Sequence, residues 1–549
     1  MNTPEQPAAD SGSAERLSQL EARMARVEEQ LRQGGERAFP AAAPLIPSPA
    51  APGAAEEELE FQVGQNWFAA AGIFVLAVGI IFSLARPYAG WPRAAPALIG
   101  YAAAAAFLLC ARAWRRTFEL GASGLRASAM ALAYFATLRL YFFGAHPVLS
   151  TGSIMGPFLL LAVAAANLVF ALRSDSPALV VLALGTGYIA ALAVGTAGFV
   201  LACLPVLSLV AVVASLRRGW PALRLVAAML TFTAYGLWAI NQPYLGRPLH
   251  LAVGPTACLG VLLACAVIFA AGSWRRRPEQ PETALANLTE LTVCGAAYGG
   301  FLIHSLASFG SVFVAAHAAA SATFLGLAMA SWLTSRSRVA TFLYAMTGYL
   351  ALSFAIVRAA PGPPVFMWLS LQSLVVVTTA IWFRSRLIVV ANFFIFLAIV
   401  ATSMAVARQE SGICLAFGVV ALATARLLAW QQDRLELKTE LMRNAYLISA
   451  LVVFPYALYH LVAAAYVALA WVGLALFYYL MNLVVQSRKY RWMGHFTLLF
   501  TVLYLLVGGL NRLDPGPRNL SFLVLGAVLV AVSLVFARVR RRRSGPSRI

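Results

Sequence analysis

Carboxylate side chains are scarce in this sequence, and their positions show where acid–base or ion-coupling chemistry could take place. Beyond residue 60 only ten acidic residues occur, and nine of them lie between long apolar runs or at their ends. Glu290, in NLTELTVCGAAYGG, lies inside such a run. A carboxylate in an apolar helix is a candidate proton- or ion-coupling group. The alternative follows from its place one helical turn from the end of its run, where Glu290 is a rim residue that pairs with Arg275–Arg277.

Three further polar residues lie within apolar runs and are candidates for a substrate cavity. Gln372 is near the middle of SLQSLVVVTTAIW, where an amide either faces a cavity or links two helices. His317 lies within another run. Arg126 and Arg139 are near opposite ends of a third run, so both side chains are expected to reach the membrane surface. The alternative for these arginines, and for Arg426, is contact with a lipid phosphate or a polar cavity.

The histidines and cysteines show no spacing that is typical of a metal or catalytic site. Six of each occur, no two histidines are four residues apart, and CxxC, GxSxG, HExxH and Walker A motifs are absent. The cysteines all lie in apolar runs, where reduced thiols act as small hydrophobic groups. We therefore expect no metal, no cofactor and no catalytic residue, and the sequence does not indicate an enzyme.

These residues are embedded in apolar runs that a membrane accommodates. The chain of 549 residues is 61% hydrophobic and 11% charged, whereas soluble domains carry about 25% charged residues. A bilayer-spanning helix needs about 20 mainly apolar residues. The predicted fold is an all-α, polytopic transmembrane helix bundle over residues 67–537, with about 18 spans (16–20). The spans are predicted at 67–85, 94–113, 122–143, 153–172, 177–195, 197–216, 221–240, 251–272, 287–306, 311–333, 339–357, 364–383, 387–406, 411–430, 443–461, 464–485, 492–509 and 519–537.

Basic residues are concentrated in every second predicted loop, and this pattern indicates how the chain is oriented in the membrane. With the N-terminus inside, the inner loops carry nineteen Lys or Arg residues before the terminal RVRRRR, and the outer loops carry seven. Cytoplasmic loops are enriched in positive residues, and no cleavable signal peptide is visible. Both termini, including the basic tail 538–549, are therefore predicted to be cytoplasmic. The expected partner is membrane lipid and not nucleic acid, because the basic residues form short clusters between apolar runs.

The polar N-terminal region is predicted to contain a short cytoplasmic coiled-coil helix. Residues 1–12 are predicted to be disordered, and 34–66 form a Pro/Ala-rich and acidic linker. Between them, residues 13–33 carry a seam with alternating three- and four-residue spacing at Leu17, Leu20, Met24, Val27 and Leu31. A coiled coil here would form a homo-oligomer or bind a protein partner. The alternative is a solvated, marginal helix, because isolated coiled coils usually need more than two heptads.

Glycines within the runs are predicted to bring helices close together. They occur in GAAYG, from Gly295 to Gly299, and in GLA around Gly326. Small residues in membrane helices allow the backbones to approach each other.

Three stretches of the sequence resemble one bacterial family. ELEFQVGQNWFAAAGIFVLAVGIIFSLA (58–85) resembles its opening, RNLSFLVLGAVLVAVSLVFARVRRR (518–542) its closing span, and SLQSLVVVTTAIWFRSR (370–386) a mid-chain segment. The opening pattern is matched by Glu60, Gly64, Trp67, Gly72 and Gly79. The family is domain of unknown function 2339, a set of multi-pass membrane proteins of bacteria. The resemblance implies a bacterial inner-membrane location but no biochemical activity. The chain departs from the pattern at Gln372 and Ser373, where Glu-Gly is common, and before the last span, where a Lys is missing.

Two functions remain open on the sequence. The first is a carrier or lipid-handling protein for a neutral or lipid-like substrate that is held between Gly-rich helices. The second is a membrane scaffold or assembly factor that recruits partners through the N-terminal coiled coil. A bundle of this size exceeds what an anchor needs, which favours the first. The scarcity of charge near the middle of the spans favours the second, or a neutral or lipid substrate for the first.

Overall fold

The structure, a computed structural model, describes most of the chain from residue 68 onward. The described residues are 22, 24–25, 68–85, 91–116, 119–141, 148, 155–241, 248–251, 255–275, 282–406, 411–431, 439–509 and 515–543. The predicted segments 1–12 and 34–66 lie outside them. Four of the seam residues, Leu17, Leu20, Val27 and Leu31, also lie outside them, whereas Met24 is helical and exposed.

Eighteen long helices make up nearly all of the described part of the chain, and no strand is present in it. The helices are α1 (Phe68–Ala85), α2 (Ala95–Ala113), α3 (Glu119–Tyr141), α4 (Met155–Arg173), α5 (Pro177–Val194), α6 (Ala197–Arg218), α7 (Pro221–Ala239), α8 (Ala257–Ala271), α9 (Ala284–Ser308), α10 (Phe313–Thr334), α11 (Arg338–Ala359), α12 (Pro364–Trp382), α13 (Arg386–Val406), α14 (Ser411–Trp430), α15 (Thr439–Leu461), α16 (Val467–Val485), α17 (Arg488–Tyr504) and α18 (Pro515–Arg543). A helix is present at the position of each predicted span.

Fourteen of these helices are long and apolar enough to cross a membrane. Three others, α1, α8 and α18, contain shorter apolar segments in their described parts. Helix α3, which contains Arg126 and Arg139, is in neither group. In the described residues, the chain is therefore an all-helical, multi-pass membrane protein.

The chain divides into two compact units. The first comprises Met1–Ser83 and Ala105–Ala129, and the second comprises Leu84–Ala104 and Met130–Ile549. In the first unit, Ile73 of α1 lies against Gly124 of α3. In the second unit, consecutive helices pack as hairpins, most extensively α4 with α5, α10 with α11, α14 with α15, and α16 with α17.

Tight turns with a recurring backbone conformation close four of the helix pairs. Asp175, Arg336, Arg384 and Gln486 have φ values of 50–53°, and each is followed by a serine and then by the first residue of the next helix. At the α10–α11 turn, Ser337 Oγ accepts a hydrogen bond from Ala340 N at 3.2 Å, because serine satisfies a free amide at a helix start. The left-handed conformation reverses the chain within two or three residues and fixes where the flanking arginines lie.

The closest helix approaches occur at glycines other than those predicted. A Cβ atom at Gly348 of α11 would lie 2.8 Å from Leu325 Cγ, and one at Gly418 of α14 would lie 2.6 Å from Phe454 Cε2. The prediction of close packing at Gly295, Gly299 and Gly326 is wrong, because a Cβ atom at any of them would meet no neighbour within 4 Å.

Candidate functional site

A cavity of about 670 Å³ lies among helices α9, α11, α12 and α13 of the second unit. Its lining residues come from the middle parts of these helices, and most of them are apolar. They include Leu302, Leu343, Met346, Leu369, Val376 and Ile399. The volume is within the range of about 300–1,000 Å³ that is usual for small-molecule sites.

The cavity has an open side between exposed aliphatic residues. Leu291 of α9, Leu350 of α11 and Ile395 of α13 line it and are 53%, 48% and 45% exposed. Such residues in the middle of membrane helices face the hydrocarbon of the bilayer. The opening therefore lies between aliphatic side chains of three different helices.

Two glycines of α9 help to create the space. Gly295 and Gly299 line the cavity, and a Cβ atom at either would have no neighbour within 4 Å. The glycines of GAAYG therefore leave room for a cavity instead of bringing two helices together.

Gln372, predicted from its position in the middle of a run, lies in the cavity wall and is 8% exposed. Its Nε2 donates to the carbonyl oxygen of Tyr349 at 2.8 Å and lies 3.0 Å from Ser353 Oγ. Ser353 Oγ is also 3.2 Å from Gln372 Oε1. The amide thus links α12 to α11 and gives the apolar wall a polar strip.

A second amide continues this strip towards α15. Asn392 Nδ2 lies 2.8 Å from Ser373 Oγ and 3.1 Å from the hydroxyl oxygen of Tyr446. Asn392 and Ser373 both line the cavity, and Tyr446 is fully buried behind them. The two amides hold four helices in register because buried amides in a membrane protein are stable only when they are hydrogen-bonded.

Glu290 is buried near one end of the cavity and is only 4% exposed. Its carboxylate accepts a hydrogen bond from the Tyr344 hydroxyl. The buried guanidinium of Arg224 is close enough to act on the carboxylate electrostatically, but it forms no direct hydrogen bond with it, and Arg224 Nε is buried without a hydrogen-bond partner. Glu290 therefore lies in the bundle interior, where its hydrogen bond joins α9 to α11. Two of the arginines that the rim interpretation paired with Glu290, Arg276 and Arg277, lie outside the described residues.

Arg224 is the residue that sequence reasoning missed. It lies one turn into α7 and is 9% exposed, so its charge is buried with that of Glu290. The signal was available in PALRLVAAML, because an arginine inside an apolar run needs a partner of opposite charge. Helices α7 and α9 pack against each other, which the sequence alone did not show.

His317 is fully buried and hydrogen-bonded at both ring nitrogens. Nδ1 lies 3.1 Å from the Tyr298 hydroxyl and Nε2 lies 2.9 Å from Ser305 Oγ. Tyr298 lines the cavity, so His317 supports the wall from behind by joining α10 to α9. Both nitrogens are used in this link, which is a structural role for the ring.

One face of α9 carries a column of buried polar groups. Glu290, Cys294, Tyr298 and Ser305 follow one another along it, and Cys294 interacts with Thr347 of α11. Fifteen residues of helix separate the first from the last, or about 22 Å at 1.5 Å per residue. The column therefore runs along most of the depth of a bilayer, about 30 Å, and Cys294 and Tyr298 expose it to the cavity.

The arginines of α3 have different surroundings. Arg126 is half-buried in the first unit. Arg139, in the second unit, is buried and its Nε donates to the carbonyl oxygen of Leu84 at 2.8 Å. Both groups lie near helix ends, since Arg139 is two residues before the end of α3 and Leu84 is one residue before the end of α1.

Arg426 lines a second cavity of about 600 Å³, whose walls come from α14, α15, α16 and α17. Apolar residues surround it there, together with Tyr490 of α17. The alternative that the sequence left open for Arg426 was a polar cavity, and this cavity is mainly apolar.

No metal-binding constellation is present in the part of the chain that the structure describes, where no three His, Cys, Asp or Glu residues come together. No protein-family model, curated protein or solved structure matches the chain. The fold and the site of the described residues together define a multi-pass, all-helical membrane protein with an apolar cavity that opens between aliphatic side chains.

Proposed function

We propose that this chain is a carrier or lipid-handling protein whose neutral or lipid-like substrate occupies the cavity among α9, α11, α12 and α13. The observation that carries the proposal is the cavity itself, about 670 Å³ in volume and reached between exposed leucine and isoleucine side chains. A lateral opening suits a molecule that partitions into the bilayer before it binds.

The lining favours a substrate with an apolar body. None of the described residues that line the cavity is charged, and a charged substrate would lose its hydration there without gaining a counter-ion. The polar strip around Gln372 and Asn392 offers hydrogen bonds to a hydroxyl, ester or amide group. Such a combination of an apolar wall and a few polar groups is common in ligand sites.

The orientation proposed with this function rests on the sequence. All eighteen helices would cross the inner membrane of a bacterium, with both termini in the cytoplasm, because basic residues concentrate in alternate loops. A place in the domain of unknown function 2339 family is proposed on the resemblance of the three stretches.

Filling the cavity tests the function. Gly299→Leu places an isobutyl group inside the cavity, where no neighbour obstructs it, and should displace the bound molecule. Gly326→Leu is the matched control, because Gly326 lies in α10, equally free of neighbours, but does not line the cavity. Native mass spectrometry of both variants and the wild type, released from lipid nanodiscs, measures the retained molecule.

We expect the wild type and Gly326→Leu to retain a lipid or lipid-like molecule at one per chain, and Gly299→Leu to lose it. Equal retention by all three proteins, or an empty wild type, would contradict the proposal. An empty wild type whose oligomeric state changed on removal of residues 1–33 would favour the scaffold alternative.

A further inference from the structure

A second, chemically different pocket lies at the ends of the helices that form the cavity. It has a volume of about 370 Å³ and is formed where the α10–α11 and α12–α13 turns meet. Its lining includes the four arginines Arg336, Arg338, Arg384 and Arg386, together with Trp332 and Phe383. The pocket differs from the cavity in being rich in positive charge.

The two turns place their arginines in the same way. Each reads Arg-Ser-Arg; the first arginine has φ of 52° or 50°, and the second is the first residue of α11 or α13. A left-handed backbone costs an arginine about 1 kcal/mol relative to a glycine. The same conformation occurs at Asp175 and Gln486, so it belongs to this kind of turn, and its effect here is to place two Arg-Ser-Arg turns side by side at one pocket.

The surroundings of the pocket act on its positive potential in opposite directions. The N-terminus of α13 lies at it, and helix N-termini attract anions. At the N-terminus of α11, Glu282 Oε1 accepts from Ser337 Oγ at 2.9 Å and from Arg338 N at 2.8 Å, so a carboxylate already occupies that helix start and offsets part of the positive charge. Trp332 lies 5.4 Å from the Arg336 guanidinium carbon, which orients that side chain by a cation–π contact.

Apolar residues at the same place connect the pocket to the bilayer. Leu387 lines the pocket and is 55% exposed, and Leu333 and Trp382, which precede or follow lining residues in the chain, are exposed as well. An anion that binds here would therefore carry or neighbour apolar groups. Arginine binds phosphate through two parallel hydrogen bonds, and basic pockets between helices at this membrane face are suited to acidic lipid headgroups.

We propose that the pocket between the two Arg-Ser-Arg turns binds a phosphate group, and that the source of this group is the headgroup of an anionic phospholipid. The site is separate from the cavity, and the inference does not rest on the function proposed for the cavity. It would fix a lipid at one end of α11 and α13 and hold the two turns together.

The test compares two double variants of the full chain. Arg336→Gln with Arg384→Gln removes two charges from the pocket. Arg173→Gln with Arg217→Gln removes two charges from exposed positions at the ends of α4 and α6, outside the pocket. Each protein in detergent is titrated with phosphatidylglycerol and with phosphatidylcholine, and bound lipid is measured by native mass spectrometry.

We expect the wild type and the control to bind phosphatidylglycerol in preference to phosphatidylcholine, and the pocket variant to bind it at least about tenfold more weakly. A third protein, Arg336→Lys with Arg384→Lys, keeps the charge but loses the paired hydrogen bonds, and it should bind phosphatidylglycerol more weakly than the wild type but more tightly than the pocket variant, which shows that a loss is not caused by misfolding. Equal affinities in the pocket variant and the control would overturn the proposal.

Inorganic phosphate distinguishes the two sources of the phosphate group. Thermal stability is measured in phosphate and in sodium chloride at matched ionic strength. Stabilisation by phosphate that the pocket variant loses, without a preference for phosphatidylglycerol, would overturn the lipid source and assign the pocket to a soluble phosphate compound. Preference for the anionic lipid that disappears in the pocket variant supports the headgroup.

Discussion

Two residues of opposite charge type lie in the interior of this membrane protein. Glu290 and Arg224 are 4% and 9% exposed, and their helices, α9 and α7, pack against each other. A single charge left in such a place has neither water nor a counter-ion. The pair is therefore expected to matter more when one partner is removed than when both are replaced.

We predict that Glu290→Ala lowers the free energy of unfolding by about 3 kcal/mol or more. Adding Arg224→Leu to it should restore most of the loss, because the double variant no longer buries an unpaired charge. Unfolding in mixed micelles, followed by tryptophan fluorescence, measures both values. If the second substitution made the protein no more stable than Glu290→Ala alone, the two charges would not be coupled.

Single residues were predictable where their chemistry contradicts their surroundings in the sequence. Glu290 and Gln372 were recognised because a polar side chain is unfavourable in an apolar run unless it has a partner or a function. Gln372 does lie in a cavity wall. Their partners were not predictable, because Tyr344 and Arg224 come from helices distant in the chain. The link between Asn392 and Tyr446 depends on the same long-range packing.

At the scale of elements, helix α8 is the most informative. The sequence predicts a span at 251–272, and the structure has a helix at Ala257–Ala271. Fifteen residues of helix extend about 22 Å, whereas the hydrocarbon core is about 30 Å thick. Whether α8 crosses the membrane decides the side on which every later turn lies, including the arginine pocket.

Reporter fusions on either side of α8 measure its crossing. We predict that a reporter active only in the periplasm is active when fused after Arg247 and silent when fused after Arg277. Flanking segments and local thinning of the bilayer would compensate for the short helix. Activity at both positions would show that α8 does not cross, and the reverse pattern would show that the proposed orientation is inverted.

Helices were predictable here because apolar length is nearly the whole signal in a membrane protein, and α14 begins and ends where the sequence places it. The geometry of the turns was not predictable from the sequence. The left-handed conformation of Arg336 and Arg384 gives no hydrophobic signal. In the sequence, Arg-Ser-Arg is already explained as two basic loop residues that set the orientation in the membrane. The role predicted for Gly295 and Gly299 was wrong because a glycine in a helix leaves a space, and the sequence does not show whether a neighbouring helix fills that space or leaves it open.

At the scale of the whole molecule, the central claim is that the second unit holds a lipid-like molecule in the cavity among α9, α11, α12 and α13. Cryo-electron microscopy of the full chain in lipid nanodiscs measures this directly. We expect elongated density in the cavity, running past Gly295 and Gly299 and ending near Gln372, and no such density in Gly299→Leu. A cavity that is empty in the wild type, or closed by contact between α9 and α12, would contradict the claim.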